Sequence, residues 1–94
     1  SEATPIIPIP QEVDAVHDEG RIFVSWSIYG QGDWLPEVSY RLTTGDWSTV
    51  LVGRGQRSVY IPVPSGTYQV YVRWLTFPNL YFGPTSTVET VVIP

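Results

Sequence analysis

The chain has 94 residues, of which 43% are hydrophobic, and this size accommodates one core and a single domain. Nine acidic residues against five arginines, with no lysine, leave a formal net charge of -4, which gives no electrostatic basis for binding nucleic acid or an anionic membrane. Cysteine is absent, so disulfides, thiolate metal sites and thiol nucleophiles are excluded.

The first ten residues differ in composition from the rest. The stretch "TPIIPIP" places three prolines in seven positions, which suits an extended, stiff segment. We therefore expect residues 1–10 to form a proline-rich linker and residues 11–94 to form the folded domain. The chain starts at Ser1, contains no methionine, and shows neither a signal segment nor an apolar run long enough to span a membrane, so we interpret it as a segment of a longer protein.

Seven short segments follow, at intervals of roughly ten residues, with the two-residue alternation typical of strands. They cover residues 11–18, 21–28, 37–43, a short strand that carries Trp47, and then 58–63, 65–76 and 86–93. Pro62 has no N–H group, so we expect the strand that holds it to be an edge strand or to contain a bulge. No segment has helical spacing over three turns, and the pattern predicts an all-β sandwich of two antiparallel sheets.

The alternation also predicts which side chains face the core. In residues 65–76 it places Gln69, Tyr71 and Arg73 on the outward face. The predicted inward residues are Ile22, Val24, Trp26, Ile28, Val38, Tyr40, Leu42, Val59, Ile61, Val63, Tyr68, Val70, Val72 and Trp74.

Three local motifs resemble those of fibronectin type III domains, and together with the strand order they cover nearly the whole chain. The motifs are Trp26 within "VSW", "PSGTYQVYV" at residues 64–72 and "FGPTS" at residues 82–86. The resemblance implies a seven-stranded immunoglobulin-like sandwich, in which Tyr68 forms a tyrosine corner with its hydroxyl group bound to nearby backbone. Two features depart from the family: the bulky Trp74 where a small residue is usual, and the compressed turn before Tyr68.

The compressed "GTY" turn is similar to that of fibronectin-type domains in bacteriophage tail-tip and tail-fibre proteins and in some secreted bacterial enzymes. From this likeness we expect a phage tail protein as the parent, and a virion or extracellular location. The partners expected are neighbouring domains of the same chain, other tail proteins or a host surface receptor, with no nucleic acid and no membrane insertion.

Catalytic groups are sparse, and we expect no enzyme activity, no cofactor and no metal. The single histidine, His17, lies beside Asp18 and Glu19, where an exposed turn is a simpler interpretation than an acid–base pair. The acids Asp33, Glu37 and Asp46 fall near different loops, and "GRGQR" lacks the lysine and helix of a phosphate-binding loop.

Two loops rich in apolar residues remain as the candidate interaction surface. In this topology the loop at residues 29–37 and the loop at residues 76–83 project from the same end of the sandwich. The candidate residues are Trp34, Leu35, Phe77, Leu80, Tyr81 and Phe82. They either fold inward as a lid on the core, which we favour from the sequence, or remain exposed as a contact patch.

The sequence therefore predicts a non-catalytic spacer and docking module of a multidomain protein, with a role in phage tail assembly or host attachment. The alternative is an accessory domain of a secreted carbohydrate-active enzyme, in which Trp34 and the loop aromatics stack on sugar rings.

Overall fold

The computed structural model describes residues 6–27 and 33–94, and in this part of the chain seven strands form two antiparallel sheets. The strands are β1 (Asp14–Asp18), β2 (Arg21–Ser25), β3 (Leu35–Leu42), β4 (Ser48–Leu51), β5 (Ser58–Pro62), β6 (Gly66–Leu75) and β7 (Glu89–Ile93). One sheet has the order β1-β2-β5 and the other β4-β3-β6-β7. The predicted seven-stranded β-sandwich is confirmed. Pro62 indeed lies on an edge strand, since β5 is the outer strand of its sheet.

The core lies between the sheets, where the inward residues of each strand meet. Trp74, Ile22, Val24, Val38, Val70 and Val72 are fully buried, as the alternation predicts. Tyr40, Val59 and Val63 are half-buried, and Ile28 lies outside the described residues. Leu42 departs from the prediction, because it is the last residue of β3, beyond the core, and is 42% exposed.

Tyr68 forms the expected tyrosine corner. Its ring is 3% exposed, and its hydroxyl group donates to the Pro64 carbonyl oxygen at 2.9 Å. The turn before it is compact because Gly66 adopts a φ of 154°, a region that L side chains rarely adopt, and a Cβ atom there would lie 2.5 Å from Leu42 Cδ2. The local geometry therefore requires a glycine directly before Thr67 and Tyr68.

Most predicted strand boundaries move in the structure: β1 begins at Asp14 instead of residue 11, β2 ends at Ser25 instead of residue 28, and three other shifts have local reasons. The strand β3 begins at Leu35, inside the predicted loop, and includes the buried Pro36, whose carbonyl oxygen accepts from Val52 N at 2.9 Å. The strand β4 begins at Ser48, so Trp47 lies just outside it, and its side chain is 37% exposed. The last strand starts three residues later than predicted. At residue 86, Ser86 N donates to the Val72 carbonyl oxygen at 2.8 Å, and the Ser86 hydroxyl group accepts from Val72 N at 2.9 Å.

The strand registers define two ends of the sandwich. At the corner end lie the turn into Tyr68, the β3–β4 turn and Pro94, whose carbonyl oxygen accepts from Ser65 Oγ at 3.0 Å. At the opposite end, which we call the loop end, lie the first residues of β3 and the last residues of β6, paired as Leu35 with Leu75. The loop end also holds the segment that links β6 to β7.

Part of the proline-rich segment packs on the domain at the loop end. Ile7 is 8% exposed and Pro10 is also buried. A Cβ atom on Gly83 would lie 2.5 Å from Ile7 Cγ2, so the absence of a side chain at Gly83 makes room for Ile7. The domain boundary at residue 11 stays a prediction, but the contact shows that residue 7 already belongs to the packed structure.

Candidate interaction surface

The aromatic loop, residues 76–83, is held by its own hydrogen bonds. Thr76 N donates to the Tyr81 carbonyl oxygen at 3.0 Å, and Tyr81 N donates to Thr76 Oγ1 at the same distance. The Thr76 hydroxyl group also donates to the Asn79 carbonyl oxygen, and Gly83 N donates to the Trp74 carbonyl oxygen at 2.8 Å. The loop backbone is therefore closed on itself and tied to the end of β6.

The apolar side chains of this loop point into solvent. Phe77 is 60% exposed, Leu80 56%, Tyr81 43% and Phe82 49%. The favoured sequence interpretation, in which these rings close the core as a lid, is wrong for all four. Trp74 and Leu75, at the end of β6, are buried at 0% and 3% while these four side chains remain exposed.

Phe82 is the best anchored of the four. The Arg73 guanidinium carbon lies 4.1 Å from the centre of the Phe82 ring, a cation–π arrangement. Arg73 Nε also donates to Glu37 Oε1 at 2.7 Å, and both side chains are largely shielded, with 28% and 14% exposed. Since the planar guanidinium is oriented by a carboxylate on β3, it presents a fixed flat surface for the ring.

Leu35 joins this surface, whereas Trp34 contributes mainly to the core. Leu35 pairs with Leu75, and Leu75 forms an isolated bridge with Phe82, so the three residues form one row across the loop end. Trp34 is half-buried and packs against the core cluster. The structure thus brings Leu35 and Phe82 to the same edge, as their predicted positions in neighbouring loops require.

The N-terminal segment adds apolar surface at the same end. Ile7 occupies the notch above Gly83, and its neighbour Ile6 is 92% exposed. Ile6 and the four exposed side chains of the aromatic loop thus all lie near the loop end. Contiguous apolar patches of a few hundred Å² mark contact sites more often than scattered single residues do.

Arg73 and Glu37 form a pair that sequence reasoning did not join. The alternation places Arg73 on the outward face of its strand, which is confirmed, but the sequence places Glu37 only near a loop. The two side chains meet because β3 and β6 pair directly in register, Glu37 opposite Arg73. Cross-strand register depends on the whole sheet, and no local signal near residue 37 or residue 73 reveals it.

The polar residues considered as catalytic or binding groups lie at separate places on the domain. His17 Nε2 accepts from Gly20 N at 3.0 Å within the β1–β2 turn, and Arg54 pairs with Asp33 at 3.1 Å on an exposed surface. Within residues 6–27 and 33–94, no group of three or more histidine or acidic residues is arranged to hold a metal ion. The same ranges contain no helix that is long and apolar enough to cross a membrane.

No family model matches the chain, and no curated protein matches it either. Solved structures do match. A structure described as "Myokine structure" has a TM-score of 0.75 at 18% sequence identity, with 97% of this chain and 99% of that chain covered. A human collagen XX FN3 domain has a TM-score of 0.68 at 18% identity, with 95% and 99% covered.

A chicken CNTN1 fragment with the domains FN1–FN3 has a TM-score of 0.76 at 20% identity. The alignment covers 94% of this chain but only 32% of that fragment, so the chain corresponds to about one of its three domains. The fold is therefore that of a fibronectin type III domain. At these identities the likeness shows the fold alone, and fibronectin type III domains are generally non-catalytic modules of multidomain chains.

Proposed function

We propose that this chain is a non-catalytic interaction module that contacts its partner through the loop-end surface, formed by Ile6, Leu35, Phe77, Leu80, Tyr81 and Phe82. One observation carries the proposal: four apolar side chains of a single loop are 43–60% exposed although the loop backbone is hydrogen-bonded and tied to β6. Apolar surface on a preorganised loop binds with little further loss of conformational entropy.

The position of the N-terminal segment supports a neighbouring domain as the first partner. Ile7 is seated beside Gly83, so residues 6 and 7 lie at the loop end. A neighbour placed there covers Ile6 and the aromatic loop together. Pro94 lies at the corner end, opposite to Ile7, and this arrangement suits a spacer between neighbouring domains.

For the parent protein we propose a phage tail protein with a role in tail assembly or host attachment, and hence a virion or extracellular location. The support is the compressed turn before Tyr68, which the structure builds from Gly66 with its φ of 154°. The alternative parent is a secreted carbohydrate-active enzyme, supported by exposed Tyr81 and Phe82, since flat aromatic faces stack on sugar rings.

The main proposal is tested by hydroxyl-radical footprinting of the domain alone and within its full-length parent protein. We expect protection of Phe77, Tyr81 and Phe82 in the parent, with Tyr60 as an exposed aromatic control on the opposite sheet. Equal labelling of the loop in both samples would contradict a docking role inside the parent. For the alternative, titration with soluble oligosaccharides should shift the Tyr81 and Phe82 ring signals in NMR spectra. If neither signal shifts, the sugar-binding hypothesis is rejected.

A further inference from the structure

The outer strands of the two sheets differ in how their free edges are protected. An edge strand carries unpaired N–H and C=O groups, and native proteins commonly shield such an edge with charged residues, proline or a very short strand. The strand β1 carries Asp14 and Asp18, β5 ends at Pro62, and β4 is the shortest of the seven strands. The strand β7 is an edge strand too, but its last four residues before Pro94 are "TVVI", without a charge or a proline.

The outer side of β7 is exposed and rich in β-branched residues. The strand pairs with β6 on one side, and no strand of the described residues pairs with its other side. Val91 and Ile93 are buried, with 6% and 3% exposed, so the alternation directs Thr90 and Val92 outward. Val92 is 60% exposed, and Val88, just before the strand, is 50% exposed. The free edge therefore suits a partner that is itself an extended strand.

The outward residues of this edge read the same in both directions. Val88, Thr90 and Val92 give valine, threonine and valine at alternate positions, with Thr90 at the centre. If two copies of β7 pair antiparallel about Thr90, Val88 of each copy lies opposite Val92 of the other, and the two Thr90 side chains meet. Threonine–threonine pairs stabilise antiparallel sheets, and β-branched side chains pack well on a pleated surface. The pattern is thus complementary to itself, which favours a second copy of this chain as the partner.

The one charged residue of β7 selects the same register. Glu89 is half-buried and lies on the inward side of the alternation together with Val91. Pairing about Thr90 sets Glu89 opposite Val91 of the second copy, whereas pairing about Glu89 itself would oppose two like charges, which destabilises a sheet. Pairing about Val91 would set Val88 opposite Pro94, which has no N–H group to donate. Thr90 is therefore the centre at which neither obstacle arises.

We propose that β7 of one copy pairs antiparallel with β7 of a second copy about Thr90, so that the two four-stranded sheets become one continuous sheet. The contact is isologous, since both copies use the same edge, and it closes as a dimer. Residues 87–93 span about 23 Å at about 3.3 Å per residue, and a strip one strand wide gives less contact than the roughly 800 Å² per partner of a stable complex. The dimer is therefore weak and forms where copies are concentrated or held side by side.

The charges near this edge oppose the contact and give it a characteristic salt dependence. The strand β1 borders β7 from the other sheet, and each copy carries a net charge of -4. Antiparallel pairing about one residue places both β1 strands, with Asp14 and Asp18, on the same side of the joined sheet. Salt screens the repulsion between them, since the Debye length falls from about 10 Å at about 0.1 M to about 3 Å at about 1 M. Dimerisation should therefore become stronger as salt is raised, whereas a contact made by ion pairs would become weaker.

The first experiment tests the register with single cysteines, because the chain has none of its own. Thr90→Cys places the two thiols opposite each other, so mild oxidation should join two copies of this variant. Val88→Cys and Val92→Cys should each cross-link poorly alone, whereas their equimolar mixture should give a disulfide-linked dimer. Thr49→Cys is the matched control, since this exposed threonine lies on β4, the other edge of the same sheet, and should stay monomeric.

The second experiment measures self-association by sedimentation equilibrium and by NMR shifts from micromolar to millimolar concentration. Thr90→Lys opposes two like charges and should weaken the dimer about threefold or more at low salt, whereas Thr49→Lys should not. A mixture of Thr90→Lys with Thr90→Glu should associate again, because opposite charges then meet at the centre. Thermal unfolding midpoints equal to that of the unmodified chain separate lost pairing from misfolding, and the smaller cysteine substitutions decide if a charged variant unfolds.

Four results would each overturn the proposal. They are a monomer at every concentration, association that is strongest at low salt, equal cross-linking of Thr90→Cys and Thr49→Cys, and a mixture of Val88→Cys with Val92→Cys that cross-links no better than either variant alone.

Discussion

At the corner end the Tyr68 ring is 3% exposed and its hydroxyl group is bonded to the Pro64 carbonyl, whereas at the loop end Phe77 and Tyr81 are 60% and 43% exposed. Both ends are held by local hydrogen bonds and both contain a glycine at a crowded position, Gly66 and Gly83. The difference lies in where the aromatic side chains point. The Tyr68 ring at the corner end is part of the core, whereas the Phe77 and Tyr81 rings at the loop end are exposed.

Trp74→Ala should show the largest effect, because this side chain is fully buried directly beneath the loop end. We expect a loss of about 3–5 kcal/mol in the free energy of unfolding from removal of a large core side chain. Trp47→Ala, at a 37% exposed position, is the comparison and should lose far less. Urea denaturation measures both. Equal losses for the two variants would show that the exposure of a tryptophan side chain does not predict how much it stabilises this domain.

Gly83→Ala tests whether the loop end is packed as tightly as its backbone suggests. The new Cβ atom would meet Ile7 Cγ2 at 2.5 Å, Ile7 Cβ at 2.9 Å and the Trp74 carbonyl oxygen at 3.1 Å. We expect a loss of about 1–3 kcal/mol, since crowding of this kind displaces the N-terminal segment. Gly53→Ala, whose nearest neighbour is the flexible Gln56 Cγ at 3.5 Å, serves as the matched control. No difference between them would mean that Ile7 is not held at Gly83.

Tyr68→Phe removes only the corner-end hydroxyl group and leaves the ring in place. The Pro64 carbonyl oxygen then loses its donor, and we expect a loss of about 1 kcal/mol in the free energy of unfolding. Tyr81→Phe removes a hydroxyl group from an exposed ring and should change stability very little. Chemical denaturation of the pair compares the two ends directly, and a larger loss for Tyr81→Phe would reverse the roles assigned to them.

Tyr81→Ala and Phe77→Ala should have the smallest effect on stability, within about 0.5 kcal/mol, because both side chains are exposed. Their effect should appear instead in the parent protein, where footprinting protection of Phe82 falls when the contact is weakened. A marked loss of stability in the isolated domain would show that these side chains are structural and would support the lid interpretation after all.

Sequence reasoning reached the fold because alternation is local. In β6 the pattern from Tyr68 to Trp74 correctly separates buried from outward positions, and the glycine before Thr67 and Tyr68 marks the tyrosine corner. The errors lie where alternation ends. Leu42 is the last residue of β3, where a side chain on the inward side of the pattern no longer has a core to meet, and Trp47 lies before β4 and packs on the outward Tyr71.

The candidate surface was only partly predictable. Its residues could be named from composition, since a loop with Phe77, Leu80, Tyr81 and Phe82 is unusual, but the choice between lid and contact patch could not be made. That choice depends on how the loop packs at the end of β6, where Ile7 lies against Gly83 and the four loop side chains stay 43–60% exposed. The segment that holds Ile7 was itself predicted to be a linker outside the domain.

The sequence by itself determined the all-β class and the seven strands, because both follow from residue types at short spacing, and its resemblance to fibronectin type III domains implied the tyrosine corner. Only the tertiary structure decided that the aromatic loop is exposed, that Arg73 joins Glu37 to Phe82, and that Ile7 packs at Gly83. These features join residues far apart in the chain, and their geometry depends on sheet register and on the volume left between packed elements.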